Sequence, residues 1–240
     1  MDKLYIVMPA YNEAENIEDT VNQWYPIVER IQNEGNECSL VIADDGSKDA
    51  TYEKMCLLKS TKPYFIPLTK PNSGHGATVL FLYDYAIRNG ATYVFQTDSD
   101  GQTLPEEFWQ MWQNRETFDF QIGTRVDRKD GFSRVVVTKI LRLVVFLTFG
   151  VWVKDSNTPF RLMSTERLKE ILKYIPSDFF LANVAVSSIA VKKNEKTAWY
   201  PITFRPRQGG VNSINLKRIF KIGWKALGDL RQVNKNLKRE

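Results

Sequence analysis

Apolar and polar positions alternate in blocks along the first hundred residues. Leu4-Tyr5-Ile6-Val7-Met8 is an unbroken apolar run bounded by Pro9, and it predicts a strand buried on both faces. Asn12 with Glu15 three residues on has the capping-box pattern, which predicts a helix from there to about Arg30. Gly35 and Asn36 break the chain, and Leu40-Val41-Ile42-Ala43 predicts a second buried strand ending in Asp44-Asp45-Gly46-Ser47. The pattern then predicts a helix over 49–59, a short strand at Tyr64-Phe65-Ile66, a polar loop from Lys70 to Gly76, a helix over 77–89 stopped by Gly90, and a strand over 92–96. Strands alternating with helices imply an α/β fold, with a mainly parallel, Rossmann-like central sheet and helices on both faces.

In such sheets ligands bind where the strands end. Three strand ends here are polar: Pro9-Ala10-Tyr11-Asn12-Glu13, Asp44-Asp45-Gly46-Ser47 and Asp98-Ser99-Asp100-Gly101-Gln102. Asp98 and Asp100, one residue apart, suit a hard cation such as Mg²⁺ or Mn²⁺, to which Gln102 adds a carbonyl oxygen. The plain alternative is an Asp/Ser/Gly turn, and Asp44 to Ser47 can likewise be a turn and helix cap. Neither a G-x-G-x-x-G after the first strand nor a G-x-x-x-x-G-K-[ST] is present, which disfavours a dinucleotide fold or P-loop.

Composition narrows this further. The 240 residues, 43% apolar and 25% charged, suffice for one domain with a substantial core. Two cysteines, Cys38 and Cys56, without a C-x-x-C spacing, argue against a structural disulfide or zinc site and for a reducing compartment. The single histidine, His75, reads as a loop residue near the nucleotide edge. Lys and Arg number 33 against 28 Asp and Glu, a net charge of +5, yet residues 217–240 alone carry eight basic and two acidic side chains. The basicity therefore belongs to the C-terminus, which points to anionic lipid or a partner and away from nucleic acid. Neither a signal peptide nor an 18-residue uncharged apolar run is expected.

The ordered set Pro9 to Glu13, Asp44 to Ser47, Asn72-x-Gly74 before a helix, and Asp98-x-Asp100 resembles the GT-A glycosyltransferases of family 2. Asp98-Ser99-Asp100-Gly101-Gln102 followed by Thr124-Arg125 resembles the polyprenyl-phosphate branch, that of dolichol-phosphate mannose synthase. The likeness covers about residues 3 to 228. It implies a GT-A fold, an NDP-sugar donor (UDP- or GDP-linked), a divalent Mg or Mn ion and an undecaprenyl or dolichyl phosphate acceptor. It places Pro9, Tyr11 and Glu13 at base and ribose, Asp44 and Asp45 at the nucleobase, and Asp98, Asp100 and Gln102 on the metal. Arg125, Arg134 and Arg207 of Phe204-Arg205-Pro206-Arg207 become phosphate ligands, Arg205 competing with Arg207. Thr158-Pro159-Phe160-Arg161 departs from the Ser-Gly pair that many relatives carry before Phe-Arg, so the acceptor-side loop is expected to differ.

Residues 133–149 place Arg134, Thr138, Lys139 and Arg142 on one flank of a helix, with valines and leucines elsewhere. This is either a core helix or an interfacial one. Residues 213–240 read as a basic amphipathic C-terminal helix appended to a 1–212 transferase domain, a reversible anchor to the inner, cytoplasmic face of a membrane that a membrane-protein partner can reinforce. A lipid phosphate is already ionised and needs no general base. The rival is a family 2 transferase acting on a carbohydrate or lipid hydroxyl, which needs one, with Asp155 as the obvious carboxylate. A nucleotidyltransferase and a non-enzymatic binding module share the sheet and remain further alternatives.

Overall fold

The computed structural model describes residues 1–126, 132–205 and 216–238, with side chains from 138 onward in the second span and from 226 onward in the third. Its elements are β1 (Lys3–Ala10), α1 (Ile17–Asn33), β2 (Glu37–Asp44), α2 (Thr51–Lys59), β3 (Phe65–Thr69), α3 (His75–Arg88) and β4 (Tyr93–Gln96). A 3₁₀ turn (Pro105–Glu107) follows, then α4 (Phe108–Gln113), β5 (Phe120–Val126), α5 (Phe132–Phe149), β6 (Arg161–Ser164), α6 (Thr165–Leu172), α7 (Ala182–Lys192), β7 (Thr197–Thr203) and α8 (Leu216–Leu237).

The strands form one sheet in the order β3-β2-β1-β4-β6-β5-β7. β1 pairs in parallel with both β2 and β4, and β2 with β3. β6 runs antiparallel to both β4 and β5, and β7 is parallel to β5. Because β6 alone is reversed, its first residue, Arg161, lies opposite Gln96, the last residue of β4. The loop entering β6 therefore reaches the edge where the other strands end.

Two cores lie on opposite faces of the sheet, as the period-2 pleat requires. Leu4, Ile6 and Met8 of β1 face α1 and α4 with Phe95 and Phe160, whereas Tyr5 and Val7 face α3 and α7. Phe95 is the aromatic centre of the first core, its ring 4.9 Å from Phe108, 4.8 Å from Phe160 and 5.4 Å from Trp24. Leu230 and Val233 of α8 belong to the second core, and Asn234 donates to the carbonyl of Thr148 at the end of α5.

The expected capping box is not formed. α1 begins at Ile17, and the carbonyl of Glu13 accepts the N–H groups of Asn16 and Ile17. Asn12, at φ +53°, donates its N–H to Ser47 Oγ and accepts the N–H of Lys48, while Glu13 and Ala14 donate to Thr51 and Asp49. Long-range partners in the loop after β2 thus outcompete the local cap. α1 also runs on to Asn33 through Pro26, and β3 extends to Thr69 through Pro67, which an edge strand tolerates. Among the described residues no helix is long and apolar enough to cross a membrane.

Phe95→Ala should lower stability by about 3–5 kcal/mol, the cost of emptying a large aromatic site in a packed core. Urea unfolding checks this, and a midpoint close to that of the wild-type chain would show that the aromatic cluster is not the centre of the core.

Candidate active site

The carboxyl end of β1 fixes the loop that carries Asp98 and Asp100. Thr97 donates its N–H to Val7 O (3.1 Å), Ser99 Oγ donates to Pro9 O (2.8 Å), and Thr20 Oγ1 donates to Ser99 O (3.0 Å). Ser99 is buried by these bonds, and the two carboxylates flanking it line the same cleft. Asp100 Oδ1 accepts the N–H of Gln102, closing the turn. Gln102 holds the segment just past β7 with two bonds: its carbonyl accepts the Arg205 N–H (2.8 Å), and its side-chain amide donates to Arg205 O (2.6 Å). The segment after β7 is thereby fastened to the two-aspartate loop. Arg207, and the side chain of Arg134 in α5, lie outside the described residues.

Asp45 organises the opposite wall. One carboxylate oxygen accepts the Ser73 N–H (2.9 Å) and the Lys70 ammonium, the other accepts the Gly74 N–H (2.8 Å), and the Asp45 carbonyl accepts the Asn72 amide. Gly46 permits this approach. Its φ is +67°, and a Cβ there would sit 2.8 Å from the Asn72 nitrogen. Burial raises the proton affinity of Asp45, but Lys70 and the N–H and O–H donors of Ser73, Thr78 and Gly74 outweigh it and leave the carboxyl below its ordinary range. Asp44 points elsewhere. Its carboxylate accepts from Ser47 N and Thr69 Oγ1, inside the turn.

Pro9, Tyr11, Glu13, Asp45, Asp98 and Asp100 thus surround one cavity of about 510 Å³, whose lining does not include Asp44. Sequence reasoning underrated His75. It opens α3, with its side chain 53% exposed and Nε2 3.1 Å from Asp98 Oδ1. Partial desolvation within the cleft lowers its proton affinity, but Asp98, and after it Asp100 and Asp45, reverse that and raise its pKa. The nearby carboxylates therefore create a negative field that a divalent cation would also feel. Among the described residues no group of three or more His, Cys, Asp and Glu is placed to hold a metal alone. Two carboxylates with substrate phosphate completing the shell is how Mg²⁺ is usually held, so the oxygen donors fit such an ion.

A second cavity, of about 400 Å³, adjoins the first and shares His75 and Asp98 with it. Gln102 and Arg125 line it, together with Arg142 of α5 and with Lys154 and Asp155, which lie in the loop before β6. Arg125 reaches the cleft but grips Asp155 with two parallel bonds, Nε to Oδ2 (2.8 Å) and Nη2 to Oδ1 (2.7 Å), and lies 5.2 Å from the Phe204 ring centre. Arg161 anchors the loop from below. Fully buried, it donates to the carbonyls of Ser156, Thr158 and Asn183 and to Ser187 Oγ. Thr158-Pro159 marks this loop in the sequence, but Lys154 carried no signal.

The mainly parallel seven-stranded sheet with helices on both faces is a fold of the GT-A type. The family model of Glycosyl transferase family 2 matches residues 5–172, and the chain belongs to that family and is a glycosyltransferase. It is 25% identical over 220 residues to the polyprenol monophosphomannose synthase of Mycolicibacterium smegmatis, covering 88% of this chain and 80% of that one. It is 27% identical over 215 residues to the UDP-N-acetylglucosamine–dolichyl-phosphate N-acetylglucosaminyltransferase of Methanococcus voltae, covering 81% and 82%. Glucosyl-3-phosphoglycerate synthase from Mycobacterium tuberculosis, solved with Mn²⁺, UDP-glucose and phosphoglyceric acid, superposes with a TM-score of 0.68 at 15% identity, over 98% of this chain and 80% of that one, a likeness of fold.

The depressed Asp45 pKa contributes stability that is present above the unfolded-state value of about 3.9 and is lost as pH falls through the folded-state value. Asp45→Asn should therefore unfold at lower urea than the wild-type chain at pH 6, with the gap closing as the pH is lowered below the unfolded-state value. A gap that stays constant with pH would show that the Asp45 charge does not hold this loop.

Proposed function

We propose that this glycosyltransferase is metal-dependent and inverting, and that it moves a sugar from an NDP-sugar to a polyprenyl phosphate at the cytoplasmic face of a membrane. The observation that carries the reading is the makeup of the second cavity. Its described lining holds two carboxylates, Asp98 and Asp155. Asp155 is locked in a bidentate pair with Arg125, and Asp98 belongs to the proposed metal pair. An acceptor hydroxyl would need a base to take its proton, and the remaining candidate on this lining, His75, has its Nε2 engaged by Asp98, whereas a phosphate monoester arrives ionised and needs only positioning and charge screening. Two curated relatives bear names that describe transfer to a polyprenol or dolichyl phosphate, which supports the same acceptor class.

In this reading Pro9, Tyr11, Glu13 and Asp45 hold the nucleoside, which is uridine or guanosine. Asp98 and Asp100, with Gln102 beside them, hold Mg²⁺ or Mn²⁺, and when bound that ion offsets the charge developing on the diphosphate. An acceptor phosphate oxygen forms the new bond to the anomeric carbon from the face opposite the leaving diphosphate. The bond from that carbon to the diphosphate breaks, the nucleoside diphosphate departs with the electron pair, and the configuration inverts. His75, within hydrogen-bonding distance of Asp98, orients that carboxylate. Arg134 and Arg207 remain proposed phosphate ligands on the strength of the resemblance.

Attachment to the membrane is proposed to be peripheral. The +6 charge of residues 217–240 suits anionic headgroups, at about 1 kcal/mol per basic side chain near the surface, and a membrane-protein partner would strengthen it. The 1–212 segment is the proposed transferase unit, with the end of α8 packed into its second core through Leu230 and Val233.

The test is turnover of UDP- and GDP-sugars with Mn²⁺ or Mg²⁺, with and without a short polyprenyl phosphate. Nucleoside diphosphate release should require the lipid phosphate, yield a glycosylated lipid, and fall at least ~100-fold in Asp100→Ala, the scale of losing one electrostatic stabiliser of a leaving group. Asp155→Asn should lose much less than a missing general base would cost. Release that ignores the lipid, or that persists in Asp100→Ala, would overturn the reading.

A further inference from the structure

We infer that Arg142 and Lys154 seat the acceptor's phosphate, and that the stacked Phe146 and Trp152 rings beyond them carry the first units of its prenyl chain. This rests on the acceptor class proposed above and assigns residues to it. The charge distribution selects them. Arg125 has its charge balanced by Asp155 at 2.7 Å, so an approaching anion meets a neutral pair. Arg142 and Lys154 line the same cavity, and neither has a carboxylate within ion-pair distance among the described residues. Arg142 Nη2 donates to the Lys154 carbonyl, which holds the guanidinium against the same loop as the lysine. Guanidinium and ammonium together, in a cavity shared with Asp98, are the chemistry that recognises a phosphate monoester close to the transferred sugar.

The same residues lead outward. Arg142, Val153 and Lys154 also line an adjoining trough of about 350 Å³, with Thr124 and Trp152 completing its wall. Trp152 is 60% exposed, and its ring stacks on Phe146 with centroids 4.5 Å apart. Leu143 and Leu147, on the same helix as Phe146, are exposed as well, so α5 offers further apolar surface. A cationic seat continuous with an apolar, aromatic-walled exit matches one occupant: an amphiphile with a phosphate head and a hydrocarbon tail. The exposed face of α5 is thereby assigned to the tail of the substrate, the reading that the helix pattern in the sequence left open between core and interface.

The experiment measures direct binding of farnesyl phosphate, farnesol and inorganic phosphate to the full chain, beside UDP binding in the presence of Mn²⁺. The wild-type chain should bind farnesyl phosphate at least tenfold more tightly than either of its halves. Arg142→Ala and Lys154→Ala should each weaken farnesyl phosphate about tenfold, about 1.4 kcal/mol, and more so at low salt. Trp152→Ala should weaken farnesyl phosphate and leave inorganic phosphate unchanged, and all three variants should keep wild-type affinity for UDP with Mn²⁺. Unchanged farnesyl phosphate affinity in both charge variants overturns the inference even if the wild-type chain glycosylates the lipid. Absence of farnesyl phosphate binding by the wild-type chain overturns it as well. Binding that the variants lose, without transfer from any sugar donor, supports the seat and overturns the proposed function alone.

Discussion

Arg161 opens the one strand that runs against its neighbours, and its buried guanidinium holds the loop before that strand in place. Removing an arginine from water costs several kcal/mol unless its donors are met. Here they are met by carbonyls of Ser156, Thr158 and Asn183 and by the Ser187 hydroxyl, so the loop cannot move without leaving a buried cation unsatisfied. Reversal of β6 takes that loop to the sheet edge where β1, β2 and β4 end, and Arg161 keeps it there. The second cavity exists because of this combination.

The cleft is divided by charge. Around the first cavity Asp98, Asp100 and Asp45 set a negative field that raises the pKa of the half-exposed His75. On the other side Arg142 and Lys154 supply positive charge, and the Arg125–Asp155 pair is neutral. A metal-bound diphosphate and an anionic acceptor repel each other in water. Under the proposed function, a site that offers each its own counter-charge, with Asp98 on the shared wall, would bring them to one anomeric carbon.

Much of the lining of the first cavity was legible in the sequence. Asp98, Asp100, Asp45, Glu13 and Tyr11 each follow a strand that its apolar run announces, and parallel strands must end on one edge. For Asp44 the sequence left a nucleobase contact and a turn both open, and only the positions of Ser47 and Thr69 show that its carboxylate points into the turn. The Asn12–Glu15 cap failed for a related reason. Local spacing cannot weigh partners such as Ser47, Thr51 and Asp49, which lie 35 or more residues away.

The sequence by itself determined the α/β class, the buried strands and the chemistry at their ends, because side-chain period and strand-end polarity are local properties. The reversal of β6, the pairing of Arg125 with Asp155, and the meeting of Arg142 with Lys154 were decided by tertiary structure. Each joins segments whose separation along the chain carries no pattern, and their geometry is fixed by sheet order and by the need to satisfy buried charge.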